Sequence, residues 1–504
     1  MAGNGTDREQ WQSRIGFVLA AAGSAVGLGN IWKFPFVAGM NGGAAFVLFY
    51  LFSILIIGLP IMLIEFSIGR KTQRNPVGAF KSLAPEGPYF LIGALGVFTG
   101  FIILSYYSVV AGWTLAYVGE ALSGTFGNFN DPSFALEVVE AKVAGMLGVA
   151  QNAVPWQSIP DSLSSWGTLH VSLENGGAVP DTLLPQIAGH QFEEFALKSA
   201  WPLITHALFM VICVAVVFKG IKSGIEKWNR ILMPTLFVII ILLVIRGVTL
   251  EGSEKGLAFL FAPDFSKVMD TKVWLTALGH AFFTLSIGMG AMLTYGSYLD
   301  RNENLLKSAL MIIVLDTVVA LLAGTAIFTA VFAMGFEPAQ GPGLVFYVLP
   351  GMFSVMPGGW FVGILFFLLL SIAAVTSGVS ILEVVTAYFV DEKGWSRKKA
   401  TIVFAGVIFL LGVPSALSFG ILSNVKIFGM ILFDFFDYLS FKYMLPIGGL
   451  LMVLFTIFRW KPSELIKELR QGNPALKVSV GISTVILILA AIFISVIFVV
   501  ELMG

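Results

Sequence analysis

Two apolar stretches carry residues that a membrane helix avoids. Residues 22–36 read AGSAVGLGNIWKFPF, with three glycines, an asparagine, a lysine and a proline inside a run otherwise suited to a span. Residues 279–290 read GHAFFTLSIGMG, with a Gly-Met-Gly where the helix should continue. Lipid offers no partner to a free peptide group, so a lipid-facing span keeps its backbone hydrogen bonds internal. A span broken inside the protein frees carbonyl oxygens that suit a cation, and half-helix amides that suit an anion. The competing reading is that the glycines only allow close helix packing. Interruptions in both halves, with polar residues beside them, favour a mid-membrane site. Asp316 also falls within an apolar run, and an intramembrane charge is functional by default.

The elements that must position these residues are membrane helices. Of 504 residues, 57% are hydrophobic and 12% charged, and the mean hydropathy is +0.89. That composition belongs to polytopic membrane proteins. Lys plus Arg equals Asp plus Glu, 30 against 30, which argues against a polyanionic partner. Apolar runs long enough to span occur near 14–40, 44–69, 88–120, 196–218, 229–247, 274–298, 307–336, 360–390, 400–419, 434–458 and 478–502, eleven in all. The connections at 70–81, 219–230, 391–399 and 459–477 are basic, whereas 121–195 holds one Lys against eight acidic residues. The positive-inside bias therefore expects residues 1–13 in the cytoplasm, segment 121–195 outside and the C-terminus external. Segment 337–359, with four prolines and five glycines, reads as an ordered external loop or re-entrant lid. The lone cysteine, Cys213, excludes an internal disulfide. The polar first thirteen residues lack the layout of a cleaved signal.

The interrupted spans are the first and sixth, five apart, as expected of a five-helix unit duplicated with inverted topology. Here the sequence resembles the neurotransmitter:sodium symporter family, above all its eleven-span bacterial amino-acid transporters. The resemblance rests on Arg8 and Trp11, GSAVGLGN-x-W-K-FP at 23–35, NGGAAF at 41–46, IEFSIGR at 64–70 and YYS at 106–108. It continues through SGIEKWNRILMPTLF at 223–237, FFTLSIGMGAMLTYGSY at 282–298, GPGLVFYVLP at 341–350, AVTSGVSILE at 374–383 and FDYLS at 436–440. It implies an all-α fold of eleven transmembrane helices, a LeuT-type five-plus-five inverted repeat. The first repeat would span 14–247 and the second 274–458, with the eleventh helix and external C-terminus at 476–504. Segment 121–195 matches poorly.

The resemblance also implies a site. One sodium would take the carbonyls of Gly23, Val26 and Ala373 and the hydroxyls of Thr376 and Ser377, the last three sharing one helix face. A second sodium would take the Ala25 carbonyl, Asn30, Thr284 and Asp316, where many relatives carry asparagine. Tyr50, His280, Asp316 and Ala320 stand where chloride-dependent members hold chloride. A carboxylate there implies chloride-independent transport, with proton counter-movement through Asp316 and His280. Gly27 replaces the aspartate of monoamine carriers, so the substrate must bring its own carboxylate. That group would meet the amides of Ala25 and Gly29 and the Tyr107 hydroxyl. The ammonium would face carbonyls at Phe283 and near Ser286. Ser24, Leu28, Ile103, Phe283, Thr284, Met289, Ser377 and Ile381 complete the expected substrate contacts. Their mostly apolar character implies a leucine-sized to aromatic amino acid.

Lys33 and Asp437 would close the external side, and Arg8, Asp391, Ser297, Tyr298 and Glu383 the cytoplasmic side. Glu65 is expected to bind unwound backbone, and Gly224 with Pro234 to let the fifth span unwind. Two sodium charges crossing about 100 mV supply about 4.6 kcal/mol, enough for roughly thousandfold accumulation. The expected partners are thus two sodium ions, an amino acid and the bilayer. An integral-membrane enzyme is the main reading of another class. No H-E-x-x-H, G-x-S-x-G or Walker A stretch occurs, and the four histidines (170, 190, 206, 280) lack metal spacing. A passive channel and a non-transporting amino-acid sensor are two further readings of the same fold.

Overall fold

The computed structural model describes residues 9–198, 200–263, 270–336 and 341–503. Apart from a two-stranded ribbon pairing Lys426–Ile427 with Met430–Ile431, its regular structure is helical. Eight helices are long and apolar enough to cross a membrane: Ala44–Thr72, Phe90–Ser123, Ile221–Val248, Leu305–Ala333, Gly359–Lys393, Arg397–Leu417, Leu432–Trp460 and Val480–Val499. A pair bent by 48°, Arg14–Ala25 with Gly29–Met40, forms the first span. The shorter Trp201–Val217 stands as the fourth. The sixth consists of Thr271–Thr284 and Ala291–Gly296 on either side of a turn. Together these are consistent with eleven spans.

Burial sorts the spans into layers. In the eighth span 72% of the most apolar window is buried, against 28% in the eleventh and 33% in the fifth. The second, third and eighth spans therefore line the centre. The fifth and eleventh present exposed Val238, Ile241, Ile245, Ile482, Val485 and Ile492, a face suited to lipid.

Five wide, π-type turns interrupt the described spans, at Gly29–Lys33, Ile54–Gly58, Ile221–Glu226, Leu439–Met444 and Thr456–Trp460. Three precede a proline in a helix that continues: Pro35, Pro60 and Pro446. A proline ring crowds the carbonyl four residues back and brings no N–H to it. In each of the three cases that carbonyl lies inside the wide turn, where the extra residue moves it away.

Segment 121–195 folds into helices Pro132–Leu147, Ser164–Glu174 and Leu184–Lys198 joined by short 3-10 turns. Val143, Ala144 and Val154 form a small satellite core with Trp156 and Trp166. Phe192 packs against Trp113, Phe346 and Tyr347 at centroid distances of 5.0, 5.5 and 5.1 Å. Helix Val348–Val355 packs against helix Leu184–Lys198; residues 337–340 lie outside the described residues.

Candidate functional site

The first span loses its helix at Val26, whose φ −72°, ψ 96° is extended, and resumes at Gly29. The sixth stops at Thr284 and turns through Ser286, Gly288 and Gly290, all at positive φ (52°, 86° and 76°). At Gly288 a Cβ would also meet the Leu445 carbonyl at 2.5 Å, so glycine is required twice over. The freed amides find a partner in Glu65. Its carboxylate accepts from Gly288 N at 2.7 Å and Leu293 N at 3.0 Å, the backbone role expected of it.

The two breaks face one another across a small cavity. Its lining includes Gly27 and every expected substrate contact except Thr284. It is narrow, with about 20 Å³ open to the centre of a water molecule, and Ile103, Met289 and Ile381 are among its apolar lining. Gly27 marks its polar end. A Cβ there would lie 2.4 Å from Ser377 Oγ and 3.2 Å from the Tyr107 hydroxyl. Leu28 N donates to that hydroxyl at 3.4 Å. A chain of serines ties the halves together. Ser286 Oγ donates to the Ser24 carbonyl at 2.8 Å, Ser24 Oγ to Ser380 Oγ at 2.7 Å, and Ser380 Oγ to the Ser377 carbonyl at 2.8 Å. Ser380 is not among the expected residues, although it follows Ser377 by three positions on the same helix face.

Thr284 belongs to a neighbouring cluster. Asp316 Oδ1 accepts from Asn30 Nδ2 at 2.8 Å and Thr284 Oγ1 at 3.0 Å, and Oδ2 from the Tyr50 hydroxyl at 3.1 Å. All four side chains are almost fully buried. Asn30 Oδ1 accepts from Gly27 N at 3.1 Å, which links the cluster to the cavity. His280 packs on Phe34, Phe46 and Tyr50, and neither ring nitrogen is hydrogen-bonded among the described residues. It packs against Tyr50 by its ring alone, and no hydrogen bond connects it to Asp316 among the described residues. Ala320 is fully buried one turn beyond Asp316.

On the other side of the first break a second set of oxygens converges. Ser377 Oγ lies 3.3 Å from the Gly23 carbonyl and 3.4 Å from that of Val26. Thr376 Oγ1 lies 3.5 Å from the Val26 carbonyl and 3.0 Å from that of Ala373. Both clusters are built from oxygen, the donor a hard cation takes, and no described group of three or more His, Cys, Asp or Glu could hold a metal.

Polar contacts join the spans at both ends of the molecule. Lys33 Nζ contacts Asp437 at 2.9 and 3.0 Å and lies over the rings of Phe441 and Phe283 at 3.9 and 4.7 Å. At the other end Trp11 Nε1 donates to the Tyr295 carbonyl at 3.0 Å. The Tyr298 hydroxyl donates to Glu383 at 2.7 Å, and Glu383 also pairs with Arg397, a partner that sequence reasoning missed. Asp391 accepts from Asn75 N at 2.9 Å. Arg8 lies outside the described residues. Ser297 Oγ donates to the Thr294 carbonyl at 2.6 Å.

A break in each of two spans, two oxygen clusters and a small cavity between the breaks are the parts a coupled transporter needs. The model of the sodium:neurotransmitter symporter family matches residues 8–504. The chain belongs to that family. This symporter is similar to an uncharacterized sodium-dependent transporter, YhdH, of Bacillus subtilis (strain 168), 38% identical over 92% of this chain and 91% of the relative. An uncharacterized sodium-dependent transporter of Haemophilus influenzae is 33% identical over 93% of each. Among solved structures, MhsT in complex with L-phenylalanine superposes with a TM-score of 0.80 at 43% identity, covering 98% of this symporter and 99% of that chain. The symporter thus has the LeuT-type fold, is a sodium-dependent multi-pass membrane transporter, and is not an enzyme.

Proposed function

We propose that this symporter imports a hydrophobic α-amino acid, leucine-sized to aromatic, together with two sodium ions and without chloride, by alternating access. The observation that carries the substrate reading is Gly27. With no side chain there, the space before Tyr107 and Ser377 suits the substrate's own carboxylate, received by the amide of Gly29 where the chain resumes; the Ala25 amide expected beside it is spent inside the first half-helix, which runs through Ala25. The ammonium then lies toward the carbonyl end of the broken sixth span, near Phe283 and Ser286. Leu28, Ile103, Met289 and Ile381 hold the apolar side chain, and Met289 adapts to different shapes. The complex of MhsT with L-phenylalanine supports an aromatic substrate.

One sodium sits with Ala25, Asn30, Thr284 and Asp316, beside the substrate carboxylate. The other sits with Gly23, Val26, Ala373, Thr376 and Ser377. The Asp316 carboxylate supplies the negative charge that chloride would bring, so Tyr50, His280 and Ala320 surround no chloride. Protons return through Asp316; His280, expected to share that role, has no hydrogen-bonded connection to it among the described residues. The N-terminus is cytoplasmic and the C-terminus external, so Lys33–Asp437 is the outer gate and Arg8, Asp391 and Tyr298 belong to the inner one.

Competition for sodium-dependent radiolabelled phenylalanine binding to purified symporter tests this reading. Leucine and tryptophan are expected to compete at least tenfold better than alanine, and phenethylamine, which lacks the carboxylate, not at all. Competition by phenethylamine equal to that by phenylalanine would overturn it.

A further inference from the structure

Asn229 on the fifth span is 2% exposed. Its Nδ2 donates to the Ile225 carbonyl at 2.9 Å, which fixes the amide's orientation, since the reverse flip would set two oxygens face to face. Its Oδ1 is buried and accepts no hydrogen bond among the described residues. This oxygen points at the last turn of the first half-helix, just before the break. A Cβ on Gly23 would lie 2.2 Å from it, and 3.2 Å from both Met233 Sδ and Thr376 Cβ. Gly23 is therefore bare where Asn229 Oδ1 approaches it, on the turn whose carbonyl faces Ser377. A buried amide oxygen left without a hydrogen bond is costly, and an ordered water or a cation relieves that cost.

Its place along the pathway suggests which ligand. One turn before Asn229, Glu226 accepts from Gln12 N at 2.7 Å and from Ser13 Oγ at 3.2 Å, and pairs with Arg230 at 2.6 Å. This latch holds the start of the first span. Between latch and oxygen cluster stands Asn229, an uncharged oxygen on a helix that begins in the wide turn Ile221–Glu226 and contains Pro234. Both irregularities weaken the backbone ladder on either side of Asn229.

We infer that Asn229 Oδ1 is a relay ligand for sodium, taking the ion from Thr376 and Ser377 as it leaves toward the cytoplasm. The inference rests on the second sodium site proposed above. An oxygen there lets the ion shed the cluster's ligands one at a time instead of crossing an apolar gap bare. In equilibrium binding, with the gates closed, the relay contributes little. During release it lowers the barrier.

The test compares Asn229→Leu and Asn229→Asp with wild type in three assays. These are the sodium-induced rise in thermal midpoint of purified protein, sodium-saturated exchange in proteoliposomes, and net uptake into sodium-free vesicles. Asn229→Leu is expected to keep sodium affinity and exchange within about threefold while net uptake slows tenfold or more. Asn229→Asp is expected to bind sodium at least threefold tighter and also to slow net uptake. A merely structural asparagine would lower exchange and net uptake together, and that result, or wild-type net uptake in Asn229→Leu, overturns the relay. Thr376→Ala with Ser377→Ala checks the underlying site: unchanged sodium affinity in that variant overturns the site itself, whatever Asn229 does.

Discussion

Replacing Asp316 with asparagine separates an ion ligand from structural glue. The carboxylate's Oδ1 receives Asn30 and Thr284, and its Oδ2 receives Tyr50. An asparagine with its oxygen toward Asn30 and its NH2 toward the Tyr50 hydroxyl keeps all three contacts, because a hydroxyl can accept as well as donate. The fold in sodium-free buffer should then hold, with a thermal midpoint within a few degrees of wild type. Sodium binding should not. A unit charge about 4 Å from the ion contributes about 4 kcal/mol at an effective dielectric near 20. Relief from burying the carboxylate offsets part of this, leaving a net loss of about 2–4 kcal/mol, or thirtyfold to thousandfold in affinity. Sodium titration of the thermal midpoint reads the change directly. Ala320→Glu in the Asp316→Asn background returns a carboxylate one turn along the same buried helix face and should recover at least tenfold. Unchanged sodium affinity in Asp316→Asn would leave the carboxylate no part in ion binding. A sodium-free midpoint that drops enough to explain the whole loss would reduce it to glue.

Gly27→Ala should cut uptake at least tenfold while leaving expression intact, since its Cβ would lie 2.4 Å from Ser377 Oγ in the space assigned to the carboxylate; amino-acid uptake and surface labelling check both halves. Glu65→Gln sets an NH2 against one of the amides of Gly288 or Leu293, which should lower stability by about 1–3 kcal/mol, measured as a loss of thermal midpoint. Lys33→Ala and Asp437→Asn should each speed release of bound amino acid to the outside several-fold, and the double variant no further, because both remove one contact. Equal and additive rates would show that the pair does not act as one gate.

The parts of the site legible in sequence are those where a local signal contradicts its surroundings. Gly27 and Gly29 inside an apolar run, Gly288 and Gly290 in a second, and Asp316 in a third each violate what a plain span requires. The family resemblance supplies their partners on other spans. Asn229 and Ser380 give no such contradiction, since a lone polar residue on a membrane helix usually bonds its own backbone, and Asn229 Nδ2 does so. Arg397 reads as one more residue of a basic cytoplasmic connection, and only the packing of the eighth and ninth spans brings it to Glu383. The wide turns before Pro35, Pro60 and Pro446 are readable in principle, because a proline in a span must displace the carbonyl behind it. Segment 121–195 reads as acidic and external, but Phe192 reaching Trp113 depends on contacts distant in the chain, which local patterning does not encode.

Sodium-driven, chloride-free import is decided by uptake into proteoliposomes with an inward sodium gradient and chloride replaced by gluconate on both sides. Phenylalanine or leucine should accumulate above its external concentration. Collapsing the sodium gradient should abolish the accumulation, and restoring chloride should leave it unchanged. Accumulation that requires chloride, or no sodium-driven accumulation of either amino acid, would show the proposed coupling to be wrong.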